Sequence, residues 1–422
     1  MSKQIKLAVA AALLAAASSA NAGIMIPAGD WTLDVGGVVN AYYTSTRTSG
    51  KGGTAPLGIT NDTGTKTSAN ITTGLLPNYL SVSGKTRQND LDVGFTISIN
   101  PGASTVSAGK QSAQQENRQA FLTFGDKSWG SIKLGKDLGI FASDAILNDM
   151  TLLGVGSGAG GLAGNTTTLG RIGTGFMYAD WKSQVAYSSP NWNGFSFTAG
   201  VTQAWDAVNA LGISAGSTGR GGSEPAFEGK ASYEWAGDVG GKVWVSGISQ
   251  KVRGLGTPGT PATVANIGGV PTAVPAVAAK NFGSDRADAA DIGATVNLAG
   301  FGLTGYYYAG SGIGQTLQLF DGFDANGKSR DSKGGYVQGT YTLPGVGTKL
   351  GLSWGESKLE GNSGEALNNV KDEMWTLGAY HPLTKHLNLV AEYSDVKHKV
   401  DTNAGNTEGK SKTVSLGAIL FF

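Results

Sequence analysis

The chain contains no cysteine in 422 residues, so neither disulfides nor thiolate metal sites carry its fold. Charge is scarce as well: Asp, Glu, Lys and Arg make up 15% of the residues, against roughly 25% in an ordinary soluble domain. Setting aside Lys3 and Lys6, 30 basic residues stand against 31 acidic ones, a net of −1. No basic excess suggests nucleic acid, and no acidic block suggests a tail. Histidine occurs only at His381, His386 and His398. No nucleophile–base–orienter set can be assembled from those positions, which argues against an enzyme. His381 and His386 flank a short turn at a spacing that gives no shared strand face, so they read as solvated turn residues and not metal ligands. Beyond the N-terminus there is no long apolar run, and glycine has no period of three, so a helical membrane protein and a collagen are both excluded.

Glycine is abundant, at 67 residues, about twice the usual share. Much glycine, many aromatics and few charges suit a chain whose strands alternate lipid-facing apolar residues with small polar ones. The N-terminus reads as an export signal: Lys3 and Lys6, an apolar run from Leu7 to Ala17, then Ala20-Asn21-Ala22 as a cleavage site. This predicts residues 1–22 as a cleaved signal and residues 23–422 as a single β domain.

From Trp31 the pattern has period two. Trp31, Leu33, Val35, Gly37, Val39, Ala41 and Tyr43 share one face; Thr32, Asp34, Gly36, Val38, Asn40 and Tyr42 share the other. Such alternation is a strand signal. Leu76 to Arg87 continues it, with Leu80 and Val82 facing one way and Ser81, Ser83, Lys85 and Arg87 the other. A tight turn at Asn89-Asp90 leads into Leu91 to Ile99, completing a hairpin. Short turns recur near 126–129, 190–193, 237–241, 299–300, 344–347 and 384–386, and long polar segments centre near Ser107, Gly216, Ala265, Gly322, Gly364 and Gly405. The tally is about 16 strands of around 9 to 13 residues, with short turns at one end and long loops at the other, the pattern of an outer-membrane barrel. Trp31, Trp129, Trp192, Trp235, Phe301 and Phe422 sit at the short-turn end, and Tyr42, Tyr43, Tyr307 and Tyr308 towards the long loops. Such placement suggests two interfacial girdles. The last strand, Ser411 to Phe422, turns Val414, Leu416, Ala418, Leu420 and Phe422 to one face, and pairing it with the first strand would remove both sheet edges.

One long segment, Gly139 to Tyr178, has no clean period and carries few charges: Asp144 and Asp149 early, Arg171 near its end. A loop of that length in an ordered chain is usually functional. It is expected to fold into the lumen and set the width and charge of a pore.

Taken together, the chain resembles a Gram-negative trimeric general porin. The resemblance rests on the export signal, Gly23 to Tyr43 as a first strand, Asn117-Arg-Gln-Ala-Phe-Leu-Thr-Phe124, Trp129-Gly-Ser-Ile-Lys-Leu-Gly-Lys136, Val185-Ala-Tyr-Ser-Ser-Pro190, Gly194-Phe-Ser-Phe197 and the terminal Phe422. Lys136 departs from the arginine common in the family, and the Pro-Glu-Phe-Gly motif of some members' third loop is absent, with Leu153-Gly-Val-Gly156 in its place. The resemblance implies an all-β transmembrane antiparallel barrel, a homotrimer, and a water-filled channel for passive diffusion of ions and small hydrophilic solutes, with no cofactor. It places Lys136 on the basic wall of the constriction, joined by Lys85 and Arg87 from the polar strand face and by Lys182, opposite Asp144 and Asp149. More cations than carboxylates on that list gives an expected weak anion preference. It also implies outer-membrane lipid and lipopolysaccharide as surroundings, and Phe422 as the residue shown to the barrel-assembly machinery. A substrate-selective channel and an adhesion or structural barrel are the alternatives.

Gly322 to Ser329 matches the phosphate-loop pattern, but it lacks the preceding parallel strand and following helix that the pattern needs, and it reads as an external loop. Asp321, Asp324 and Asn326 in it could hold a Ca²⁺ only weakly without a full ligand set. Gly156 to Gly161 reads as loop flexibility, since no βαβ unit surrounds it. Gly254 to Lys280 reads as a low-complexity external loop.

Overall fold

The structure is a computed structural model, and it describes residues 23–50, 66–104, 115–161, 167–207, 224–257, 261–267, 270–276 and 278–422. The expected signal at 1–22, the centres of the loops near 107 and 216, and part of the Gly139–Tyr178 tip lie outside the described residues.

Sixteen antiparallel strands close on themselves: β1 Trp31–Gly50, β2 Tyr79–Gln88, β3 Leu91–Pro101, β4 Ala120–Asp126, β5 Gly130–Leu138, β6 Trp181–Ser188, β7 Phe195–Thr202, β8 Ala226–Trp235, β9 Val239–Thr257, β10 Lys280–Leu298, β11 Phe301–Ser311, β12 Asp331–Thr342, β13 Lys349–Glu360, β14 Leu367–Pro382, β15 Leu387–Thr402 and β16 Gly405–Phe421. Their lengths run from 7 to 20 residues, wider than the expected 9 to 13, because hairpins such as β9–β10 extend well past the common band. A two-stranded ladder, Thr263–Ile267 on Val270–Val274, caps the connection between β9 and β10, within the stretch that reads as low complexity.

Closure joins β1 to β16, from Val38 opposite Phe421 to Gly50 opposite Gly409. Gly37 N–H donates to the Phe422 carbonyl at 2.8 Å, and Phe422 N–H to the Gly37 carbonyl at 3.1 Å. Ile24–Ala28 pairs with the lower part of β1 and continues the line that β16 leaves off. The ladder is thus continued past the end of the closing strand, as backbone facing lipid requires.

The two-residue turn at Asn89-Asp90 has both residues at positive φ (48° and 62°). This is the turn whose twist matches the flanking strands, and Asn and Asp tolerate the left-handed conformation better than most residues. Alternation places Leu122, Val185, Phe227, Ile292, Leu352 and Leu416 outward and exposed, while Glu228, Tyr306, Ser353 and Ser415 face in and are buried. The exposed apolar ring is the lipid-facing band. Trp192 and Phe301 lie outward near the short turns, Tyr43 outward towards the long loops, and Trp354 and Trp375 outward at mid-strand. Tyr42 and Tyr308 do not belong to that girdle. They face inward and are buried, Tyr42 donating to the Leu153 carbonyl at 2.7 Å and Tyr308 to that of Gln315 at 3.4 Å. Their parity opposes that of Tyr43 and Tyr307, so adjacent tyrosines serve opposite faces.

The second strand is broken. Thr67–Thr72 pairs with the upper half of β1 and β2 with its lower half, and the residues between them turn into the lumen. Asn40 pins the detour: its side chain donates to the Leu76 carbonyl and accepts from Gly74 N–H, each at 2.9 Å, and its own N–H donates to the Asn78 side chain. The strand expected from Leu76 therefore starts at Tyr79.

Candidate functional site: the lumen and its inward loops

Gly139 to Tyr178 crosses the lumen, held at each step by inward side chains of the wall. Glu228 on β8 accepts from the N–H groups of Ile140 and Phe141 at 2.8 and 2.9 Å. Ser246 on β9 accepts from Ala142, Gln338 on β12 from Met150, and Ser357 on β13 from Gly175. Glu392 on β15 accepts from Val155 and Gly156 at 2.7 and 2.8 Å. Leu75 N–H donates to the Gly154 carbonyl, so the detour of the second strand meets the loop from the far side. Inward carboxylates and amides that alternation leaves in the lumen thus satisfy the polar groups of an irregular segment, which buried backbone demands.

The loop carries a short helix, Ser143–Leu147, and a 3₁₀ turn, Met150–Leu153, in which Asp149 caps Thr151 N–H at 3.0 Å. Its apolar side packs against one wall: Phe141, Ala145, Leu169, Ile172, Phe176 and Met177 contact Trp244, Tyr306, Tyr336 and Met374. The barrel is therefore apolar outside, and inside it holds a core of its own built by the loop.

A second loop, 312–330, also folds inward, where the sequence reading had an external loop. Ile313, Leu319 and Phe323 are fully buried. Gln315 donates to Asp372 at 2.8 Å; Asp372 in turn contacts His398 at 2.7 Å. Thr316 accepts from Tyr178 N–H, and Gln318 meets Lys182 at 2.7 Å. Arg330 grips Glu365 through two nitrogens and the Asp321 carbonyl through a third. The Asp324 carboxylate caps the N–H groups of Asn326 and Lys328 and accepts from Asn362, so its oxygens serve the turn's own donors. This loop buttresses the end of the first one. Its apolar residues are too few and too dispersed to have shown the inward fold in the sequence.

Of the residues expected to line the constriction, Asp144 meets the wall, but not the predicted cations. Its carboxylate lies 2.6 Å from Lys242 on β9 and 3.1 Å from Lys230 on β8, and Lys242 also reaches Glu234 at 3.2 Å. Burial alone would push the Asp144 carboxyl up; the two ammonium groups outweigh it and hold it below the usual range. Asp149 and Arg171 are both wholly buried, 3.8 Å apart, within the loop's own packing. Burial raises Asp149 above the usual carboxylate range despite Arg171 and Thr151, and burial lowers Arg171. They therefore fix the loop's shape and present no charge to lumen water. Lys182 faces inward but is sealed, bonded to Glu228 at 2.6 Å and lying over the Trp205 ring.

The remaining expected cations are dispersed. Lys136 shares parity with Ile132 and Leu134, whose neighbours Leu122 and Val185 face lipid, so it points outward and donates to the Asn117 carbonyl at 2.8 Å. The inward lysine of β5 is Lys133, paired with Asp137. Arg87 sits beside the Asn89-Asp90 turn, paired with Asp92 at 2.9 Å and Asp126 at 2.8 Å, at the rim and away from the loop. Lys85 does face the lumen, exposed, beside Thr32 and Gly94. It lies six residues below Tyr79, where the strand begins after the detour that meets the loop, or about 20 Å at the usual rise. Lys230, Lys242 and Glu228 escaped the sequence reading, although their signal was present. In Ala226–Trp235, Glu228 and Lys230 alternate with Phe227, Ala231, Tyr233 and Trp235, and in Val239–Thr257, Lys242 alternates with Val239, Val243 and Val245, which marks the charged set as the inward one.

A closed barrel with a lipid-facing apolar band and a polar lumen narrowed by inward loops defines a membrane diffusion channel. The profile of the family described as Gram-negative porin matches residues 8–401, and the chain belongs to that family. It is an outer-membrane channel of the bacterial envelope through which solutes diffuse passively. Its fold is similar to that of the anion-selective porin from Comamonas acidovorans, at 15% identity and a TM-score of 0.58 over 93% of this chain and 100% of that one. It is similar to the outer membrane channel DcaP of Acinetobacter baumannii, at 16% identity and 0.63 over 95% and 100%. It is also similar to the trimer form of OmpT from Vibrio cholerae, at 13% identity and 0.53 over 93% and 99%. No curated protein matches the chain.

Proposed function

We propose that the pore passes small hydrophilic solutes with a weak preference for anions, as a homotrimer matured by removal of residues 1–22 to leave one barrel domain, 23–422. The observation that carries the preference is the pair Lys230 and Lys242 facing the single loop carboxylate of Asp144. Glu234 beside Lys242 cancels the remaining unit of that excess, and Lys85 supplies the net positive charge lower in the lumen, so the selectivity is modest. Fixed charges beside a confined aqueous path bias which ions enter it. The trimer form of OmpT and the family support the assembly. Phe422, at the end of the closing strand, suits recognition by the barrel-assembly machinery.

Reversal potentials in planar bilayers across a KCl gradient test this reading. Lys230→Gln with Lys242→Gln should move the potential towards cation preference. An unmoved potential would remove this wall from the ion path. A second reading, a channel selective for one class of substrate, is favoured by the inward 312–330 loop, which takes up lumen space. Liposome uptake over a series of uncharged sugars separates the two: a general pore sorts by size, a selective one by chemistry.

A further inference from the structure

Among the described lysines that face the lumen, one has left water without gaining a counter-charge. Lys133 pairs with Asp137, Lys182 with Glu228, and Lys230 and Lys242 with Asp144, while Lys85 is exposed. Lys349 opens β13 just after the short turn at 344–347, and its parity with Gly351 and Ser353 places it inward. It is half-buried, and among the described residues no carboxylate comes within ion-pair distance of it. Its ammonium lies 5.3 Å from the centroid of the Tyr380 ring, directly across the β13–β14 ladder. A ring face returns only part of what an ammonium loses with its water.

The surroundings are otherwise largely apolar. Tyr380 belongs to a buried cluster with Met150, Val155, Val390 and Ile419, against which Leu153, Tyr79 and Phe421 pack while partly exposed. Gly351 lies two residues up the strand from Lys349, or about 7 Å. A Cβ there would stand 2.6 Å from the Met150 sulfur, so the inward loop rests on the wall at that point. Lys349 is therefore just beneath the loop, on its short-turn side. Thr342 is its partner in the β12–β13 ladder and offers one hydroxyl on the same face. One ammonium and one hydroxyl suit a single carboxylate, whose two oxygens accept from both. A phosphate dianion calls for more donors than these.

We propose that Lys349 and Thr342, beside the Tyr380 cluster, form a subsite for small monocarboxylates with an apolar body. The carboxylate supplies the counter-charge that the lysine lacks, which offsets the cost of an ammonium held out of water. The apolar body lies against the partly exposed edge of the cluster and gains by leaving water. Chloride or acetate uses only the first of these, and an uncharged solute only the second. The subsite deepens the anion preference proposed above by naming a solute class for it. Because a solute must both enter and leave, occupation of the site shows as conductance that saturates with concentration.

The test is single-channel conductance of the folded full-length protein in planar bilayers, followed against concentration in potassium benzoate, potassium acetate and KCl. In wild type the benzoate curve should level off while the acetate and chloride curves still rise. Lys349→Gln should raise the half-saturating benzoate concentration at least about tenfold, the worth of one charge-assisted hydrogen bond. Lys349→Arg should recover part of that loss. Benzoate added to KCl should lower the chloride current, and its neutral counterpart benzamide should not. A benzoate curve that rises like that of acetate would overturn the proposal, as would equal saturation in wild type and Lys349→Gln. Saturation by inorganic phosphate at concentrations as low as those of benzoate would make this a general anion site and overturn it too. Should Lys349→Gln not fold, Lys349→Met, which keeps an unbranched stem without the charge, asks the same question. Chloride preference without benzoate saturation would remove this subsite alone. Benzoate saturation lost in Lys349→Gln, with no chloride preference in wild type, would support the subsite and count against the selectivity assigned to Lys230 and Lys242.

Discussion

Lys242 on the wall and Asp144 on the inward loop lie 2.6 Å apart, with Lys230 approaching the same carboxylate from the neighbouring strand at 3.1 Å. One carboxylate both anchors the loop and cancels part of the wall's charge. Asp144→Asn should therefore strengthen anion preference, by up to about fivefold in permeability ratio if the freed charge acts over a few ångströms of water-like medium. Reversal potentials measure it. Because the folded-state pKa of Asp144 lies below the usual carboxylate value of about 3.9, its anchoring is fully present above that value and is lost as pH falls through the lowered one. Anion preference contributed by this group should stay flat from pH 7 to about pH 4 and rise only below that.

Asp149 and Arg171 form a wholly buried pair in the loop's interior. Asp149→Ala leaves the Arg171 guanidinium uncompensated and should destabilise the folded barrel by about 3–5 kcal/mol. Asp149→Leu with Arg171→Met removes both charges and should recover most of that loss. Thermal loss of the compact folded form on gels reads both. Equal damage by the single and double changes would show that the pair's charge is not what matters there.

The 312–330 loop occupies the lumen beside the end of the first loop, through Gln318 to Lys182 and Gln315 to Asp372. Replacing residues 314–321 by a short Gly-Ser link should raise single-channel conductance and admit larger sugars in liposome swelling. Conductance equal to wild type would place this loop outside the current path. The second partner of Lys182, Glu228, remains in that variant, so the wall itself should stay intact.

Leu416 is exposed on the lipid face of the closing strand, and Phe422 makes two backbone bonds to Gly37 at the seam. Leu416→Arg should cost roughly 2–4 kcal/mol of insertion free energy if the site lies near the midplane. Deleting Phe422 removes two hydrogen bonds worth about 0.5–1.5 kcal/mol each, together with its proposed assembly role. Outer-membrane levels of the folded form should drop in both variants; normal levels in both would contradict the lipid-facing assignment of this strand.

Period-two alternation by itself determined the strands, their number and which face of each meets lipid, because a side chain's face in a sheet follows from parity alone. Asn89-Asp90 likewise declared its turn through residues that accept positive φ. Parity also carried more than was first drawn from it. Lys136 falls with Ile132 and Leu134 on the outward face, and resemblance to a family could not override that. Only the tertiary structure decided which charges meet across the lumen. Asp144 finds Lys230 and Lys242 from strands 86 and 98 residues away, and Lys182 is sealed by Glu228 and by a second loop that the sequence left outside. A loop without a period has no parity to read. Its path is set by the scattered inward carboxylates and amides able to satisfy its backbone, and these converge only once the barrel has closed.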